Sequence, residues 1–194
     1  MPFTFFWVYD NFLSEQSILD VYSRVLDNGH DIPWTLAYST NMKSDPEGYV
    51  KETSAVKESY QFAAGLMPNT VAYNYFWKVF HEFATKHNIS YTRILRAKLN
   101  WLPRSADASP EDYHTPHVDS DEEHKVFLYY LNSSDGDTFF FNETYPLEEG
   151  SELTLNQRVS PKAGRGVVFD GNIYHASSSP IDSNHRCILN IDFI

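Results

Sequence analysis

The chain has 194 residues, 42% of them hydrophobic and 16% aromatic, with a formal charge of −11. That length and apolar content support one domain with a substantial core and exclude a mainly disordered chain. The acidic balance argues against a nucleic-acid partner, because no basic patch offsets it: the densest basic stretch holds only Arg93, Arg96, Lys98 and Arg104.

In chain order, Phe3 to Leu13 is apolar and β-rich, and it reads as a first strand rather than a signal peptide. A helix follows, with Ser14 as N-cap, Ile18, Val21, Tyr22 and Val25 at helical spacing, and Gly29 just past the end. Residues 33–38 form a further candidate strand. The polar stretch 40–59, with a turn at Asp45-Pro46-Glu47-Gly48, reads as a long surface loop near an active-site mouth and a candidate lid. Pro68 is the expected opening of a second helix, whose apolar stripe is Ala72, Phe76, Val79, Phe80 and Phe83.

After Ser90 the chain becomes short β-rich segments separated by turns rich in Gly, Ser, Asp and Pro. Two helices followed by antiparallel strands predict a mainly β (α+β) fold, a double-stranded β-helix (jelly-roll) core with buttressing helices. The expected division is strand and helix support over 1–89 and a jelly-roll core over 90–194, within one domain. The single cysteine, Cys187, excludes an internal disulfide and implies a reducing, cytoplasmic setting. Nothing approaches the roughly 18 consecutive apolar residues of a membrane span.

The chemistry concentrates in the C-terminal half. His117 and Asp119 stand in "HTPHVDSDEEHK", His175 in "FDGNIYHAS" and Arg186 in "SNHRCILNIDF". Two imidazoles and a carboxylate can occupy one face of an octahedral ferrous ion and leave the opposite positions open. His-x-Asp alone carries little weight in a chain with eight histidines. Its setting carries more: strand alternation would point His117 and Asp119 to one face, and His175 falls at the end of an expected inner strand. Alternation likewise groups Arg186, Ile188 and Asn190, and separately Val126, Leu128 and Tyr130. His114 is three residues from His117 with Pro116 between, which suits a structural role better than ligation. His124 and His185 fall at expected turns, with solvent as their default environment. Asp121, Glu122 and Glu123 read as a solvated acidic turn, able also to attract a basic substrate. Cys187, mid-strand in an apolar run, reads as an inert core thiol. No cysteine pair, HExxH helix, Gly-rich phosphate loop or Gly-x-Ser-x-Gly elbow offers a rival chemistry.

Together "HVD", "FLYYLN", "VSPKAGRGVVFDGNIYH" and the Arg eleven residues after the second His resemble the 2-oxoglutarate- and iron(II)-dependent dioxygenases. The likeness is to the prolyl-4-hydroxylase-like branch with its small virus-encoded members, and it covers Arg93 to Ile194, more loosely the start. It implies that His117, Asp119 and His175 ligate Fe(II) and that Arg186 pairs with the far carboxylate of 2-oxoglutarate, O₂ being the second co-substrate. It further implies that the Tyr130 hydroxyl contacts that carboxylate and that Asn190 lines the pocket. Lys98, Asn100 and Leu102 would lie on the strand before the triad, with Leu102 where a second pocket tyrosine often stands. Retention of Asp119 favours hydroxylation over halogenation. The implied substrate is a peptidyl or free amino-acid side chain, with proline as a candidate, carried by a protein, a peptide or a small molecule. The rival expectations are a non-catalytic jelly-roll metal-binding module and a nucleic-acid demethylase of the same superfamily.

Overall fold

The computed structural model describes residues 5–26, 32–39, 54–148 and 150–194. Its elements are β1 (Phe6–Tyr9), α1 (Glu15–Leu26), β2 (Thr35–Ala37), β3 (Gln61–Gly65), α2 (Val71–Lys86), β4 (Ile94–Pro103), β5 (Lys125–Tyr130), β6 (Thr138–Thr144), β7 (Leu155–Val159), β8 (Gly166–Asp170), β9 (Ile173–Ser177) and β10 (His185–Phe193). Seven strands form one sheet in the order β1-β8-β5-β10-β4-β3-β2, and a second sheet has the order β7-β6-β9. All the strand pairs are antiparallel.

Alternation along two strands decides which side chains reach the space between the sheets. On β5, Phe127 and Tyr129 join the core under the helices, while Val126, Leu128 and Tyr130 pack toward Phe140, Val159 and Ile173 of the small sheet. On β10, Cys187, Leu189, Ile191 and Phe193 face the helices, and Ile188 faces the small sheet. With both faces covered, the strand reads as nearly continuous burial. The large sheet is buttressed by α2, whose Phe76, Phe80 and Phe83 are fully buried. Each such phenyl ring contributes roughly 1.5–3 kcal/mol by leaving water.

Ser14 caps α1 as expected, its Oγ accepting from the Ser17 N–H at 3.1 Å; Gly29 lies outside the described residues. The start of α2 differs from the sequence reading. The helix begins at Val71, three residues past Pro68, with Thr70 as its N-cap accepting the Tyr73 N–H at 3.1 Å, because the hydroxyl satisfies an end donor. The strand β9 is also a correction. The sequence merges it with β8, since only Gly171 and Asn172 separate the two, yet the chain changes sheets there. His175 therefore sits mid-strand, paired with Phe140 of β6.

Gly171 is required at that crossing. A Cβ there would lie 2.2 Å from the His124 ring, so His124 is buried against it rather than solvated. His185 is half-buried and stacks on Tyr22, whose hydroxyl meets its Nε2 at 2.6 Å. The acidic residues Asp121, Glu122 and Glu123 are exposed. The lid expected of 40–59 falls largely on 40–53, outside the described residues. Beyond it, Lys57 pairs with Asp112 at 2.8 Å and Glu58 accepts the Thr115 N–H at 2.6 Å, fixing this segment beside the approach to His117. Among the described residues no helix is long and apolar enough to cross a membrane.

Candidate metal and co-substrate site

His117 and His175 are brought together by backbone pairing. Each donates its N–H to the other's carbonyl at 3.0 Å, an isolated antiparallel bridge that sets the ring centres 4.8 Å apart, tilted by 48°. His117 and Asp119 therefore do not share a regular strand, as alternation had implied; the chain bends after the bridge, and the bend swings Asp119 inward. One candidate ligand atom from each of His117, Asp119 and His175 lies within 4.8 Å of the others.

The ring tautomers follow from the second nitrogen. His117 Nδ1 is 3.1 Å from the Thr115 carbonyl, and His175 Nδ1 is 3.1 Å from the Ile173 carbonyl. A carbonyl only accepts, so each Nδ1 carries the proton and each Nε2 presents a lone pair toward Asp119. Those Nε2 atoms lie 3.9 and 3.5 Å from the Asp119 carboxylate oxygens. Burial, with the neighbouring His175 and Lys98, holds the His117 pKa down to about 3 despite Asp119, so its ring is neutral at physiological pH. Burial alone would raise the Asp119 pKa; Lys98, His175 and Arg96 outweigh it and keep the carboxylate ionised. Two imidazoles and one anion, mutually facing, form an oxygen- and nitrogen-donor set suited to a ferrous ion.

Deeper between the sheets lies Arg186, 1% exposed. Its Nη2 donates to Thr138 Oγ1 at 2.7 Å, and its guanidinium carbon stands 5.6 Å from the Tyr130 ring centre. Its Nε and Nη1 are buried without a hydrogen-bond partner, and among the described residues no carboxylate pairs with it. Nη1 and Nη2 present parallel N–H donors along one edge of this planar cation, an arrangement that matches a carboxylate, with Thr138 sharing Nη2. The same cavity is lined by Gln61, Lys98, Asn100, Leu102, His117, Leu128, Thr138, His175, Ser177, Arg186, Ile188 and Asn190.

The fold has counterparts among solved structures. A prolyl hydroxylase of Trichoplax adhaerens, in complex with a hypoxia-inducible-factor peptide, is 14% identical with a TM-score of 0.64, covering 97% of this chain and 83% of that one. A prolyl-4-hydroxylase of Pseudomonas putida is 13% identical with a TM-score of 0.59, covering 98% and 92%. This is the prolyl hydroxylase fold. It is shared by the α-ketoglutarate-dependent epimerase SnoN of nogalamycin biosynthesis, 12% identical with a TM-score of 0.66 over 98% and 78%. No protein-family model and no curated protein matches the sequence. A fold common to a hydroxylase and an epimerase leaves the reaction to be argued from the site.

Within this prolyl hydroxylase fold the remaining expected residues fall as follows. Tyr130 is wholly buried behind Arg186, its hydroxyl 2.6 Å from Thr138 Oγ1 and 3.4 Å from the Val159 carbonyl; Thr138 stands between it and the cavity. Asn190 Nδ2 donates to Asp119 Oδ2 at 3.0 Å. Asn100 Nδ2 donates to Gln61 Oε1 at 2.8 Å, and its own Oδ1 is buried and unpartnered. Lys98 Nζ lies 3.5 Å from Asp119 Oδ1. His114 is no ligand: Nδ1 meets Ser177 Oγ at 2.9 Å and Nε2 meets Ser179 Oγ at 3.0 Å. Burial pushes the Cys187 thiol up to about 12, which makes it inert.

Sequence reasoning missed Thr138, Ser177, Gln61 and Arg96. Thr138 was findable, since alternation along "DTFFFNE" puts it on the face of Phe140. Gln61 gave no signal, because its position depends on β3 pairing with β4 across a long separation. Arg96 forms an ion pair with Asp119 Oδ1 and a second with Asp192 at 2.8 Å. Burial alone would lower its pKa, but the two carboxylates reverse that and raise it. Burial and the nearby Asp119 raise the Asp192 pKa to about 6.

Proposed function

We propose that this protein is an iron(II)- and 2-oxoglutarate-dependent dioxygenase that hydroxylates a peptidyl or free amino-acid side chain, with proline as the candidate residue. The observation that carries this reading is the buried Arg186 guanidinium, its Nε and Nη1 unpartnered, in a cavity lined by His117 and His175, whose donor set Asp119 completes. A buried cation with two idle donors costs several kcal/mol of desolvation unless a ligand satisfies it. A fold stabilised without that ligand has no use for the arrangement.

In this reading His117, Asp119 and His175 hold the iron through Nε2, a carboxylate oxygen and Nε2. Iron with 2-oxoglutarate and O₂ supplies the oxidising chemistry, releasing succinate and CO₂ and delivering one oxygen atom to the substrate. Arg186 receives the far carboxylate of 2-oxoglutarate. Thr138 assists, because its oxygen can accept from Arg186 and from Tyr130 and still turn its own O–H into the cavity. Tyr130 thus acts through Thr138. Asn190 orients Asp119, and Asn100 with Gln61 offers an amide wall beside Lys98. Ile188, Leu128 and Leu102 line the cavity between the two ends and keep water from the bound chain of the co-substrate.

The likeness to a prolyl hydroxylase bound to a peptide supports a peptidyl substrate, and the acidic surface disfavours a nucleic acid. Succinate release from 2-oxoglutarate with added ferrous iron tests the reading. The wild type is expected to turn over even without substrate, slowly, and His175→Ala to release none. Absence of turnover in the wild type, coupled or uncoupled, would instead identify a non-catalytic metal-binding module.

A further inference from the structure

Asp119 is gripped from two sides. Its Oδ1 carries the Arg96 ion pair, with Lys98 Nζ at 3.5 Å; its Oδ2 accepts from Asn190 at 3.0 Å and faces His175 Nε2 at 3.5 Å. Each carboxylate oxygen offers about two lone-pair sites. Two cations crowd those of Oδ1, which lies 3.9 Å from His117 Nε2, whereas Oδ2 has one hydrogen bond and one site turned to His175 at 3.5 Å. Strand register places the clamp: Arg96 on β4 is directly opposite Asp192 on β10, and Asp192 at 2.8 Å holds the guanidinium where it meets Asp119. Asp192 is 2% exposed, so this second ion pair is built into the fold rather than formed at its surface.

A carboxylate free to rotate can chelate a metal through both oxygens. A six-coordinate ion with three protein donors has room for a bidentate 2-oxoglutarate and one O₂; a fourth protein donor removes the last place. We propose that Arg96, held by Asp192, is a positioning residue that keeps Asp119 Oδ1 off the metal, so that Asp119 binds through Oδ2 alone. This rests on the metal reading above.

Mn²⁺ is the probe, because the enhancement of water-proton relaxation by the bound ion scales with the waters it carries. Wild-type protein is expected to bind Mn²⁺ with three exchangeable waters. Arg96→Met should bind it with about two, lowering the enhancement by about a third. Arg96→Lys should restore most of that loss. Asp192→Asn, which leaves Arg96 in place but loosens it, should give a smaller fall and serves as the test if Arg96→Met does not fold. Equal enhancement per bound ion in wild type, Arg96→Met and Asp192→Asn overturns the clamp. A wild type that binds no Mn²⁺ at all would overturn the metal reading itself, a distinct result.

Discussion

Arg186 and Arg96 stand toward opposite ends of one inter-sheet space, opposite Leu102 and Asp192 in the β4–β10 register. Arg186 is 1% exposed and has no carboxylate partner among the described residues; the Arg96 side chain is 39% exposed and meets two carboxylates that are almost wholly buried. If burial alone decided pairing, the deeper cation would be the better paired. The reverse holds, which separates a charge reserved for a ligand from a charge that completes the fold. Substituting each arginine by methionine, which keeps the aliphatic stem, turns that separation into measurements.

The largest effect belongs to Arg186→Met. Affinity for 2-oxoglutarate, measured calorimetrically with Mn²⁺ present, should fall about 10²–10³-fold, equivalent to about 3–4 kcal/mol. Mn²⁺ binding should stay near wild type, and the ligand-free protein should melt no lower than wild type, because no carboxylate is stranded and Thr138, which loses the arginine, keeps its Tyr130 hydrogen bond. In the wild type, saturating 2-oxoglutarate at about a hundred times its dissociation constant should add about 2.7 kcal/mol of stability, an increment the variant lacks. A variant that loses iron-site and 2-oxoglutarate binding in equal measure would break the assignment of Arg186 to the co-substrate.

Arg96→Met should behave in the opposite sense. Removing the cation leaves Asp119 and Asp192 facing each other in a buried site. Breaking a fully buried pair costs about 3–5 kcal/mol; discounting for the partial exposure of Arg96 leaves about 2 kcal/mol, or roughly 4–8 °C in Tm for a domain of this size. Asp192→Asn added to Arg96→Met should recover part of that loss by removing one of the two stranded charges. If Arg96→Met melts at the wild-type temperature, Arg96 is a surface charge and the contrast between the two arginines dissolves.

Part of this contrast was legible before the fold. Alternation on "CILNIDF" and "VFLYYLN" assigned Ile188, Asn190, Leu128 and Tyr130 to the inner face, because a strand covered on both sides still sends neighbours to opposite layers. The triad residues were legible by type and spacing. What could not be read was pairing. Arg96 looked like one member of a sparse basic stretch, since its meaning depends on standing opposite Asp192 in the β4–β10 register. The strand bearing His175 was hidden because the turn residues Asp170, Gly171 and Asn172 do not reveal that the chain crosses to the other sheet there. His124 was assigned to solvent because nothing local reveals that Gly171 leaves room for its ring.

The smallest effect concerns His114, at the arginine that keeps its donors free. Its ring touches Ser177, which lines the same cavity as Arg186, and burial holds its pKa down to about 4 from 6.5, with Arg186 lowering it further and Glu58 opposing. The folded state therefore binds fewer protons than the unfolded state between those values, and stability falls as pH falls through that window. From about pH 7.5 to about pH 5.5 the loss attributable to His114 is about 1 kcal/mol. Asp192 works against it: with a folded pKa near 6 it gains relative stability as pH drops through the same range, so the total slope of the wild type understates the histidine. Comparison with His114→Gln removes that ambiguity. Glutamine still reaches both serine hydroxyls but cannot titrate, and Asp192 contributes equally to both proteins. Melting curves of the two should converge near pH 5.5 and diverge above it, with the wild type ahead; curves that stay parallel across the range would show that the His114 ring accepts a proton as readily in the folded protein as in the unfolded chain.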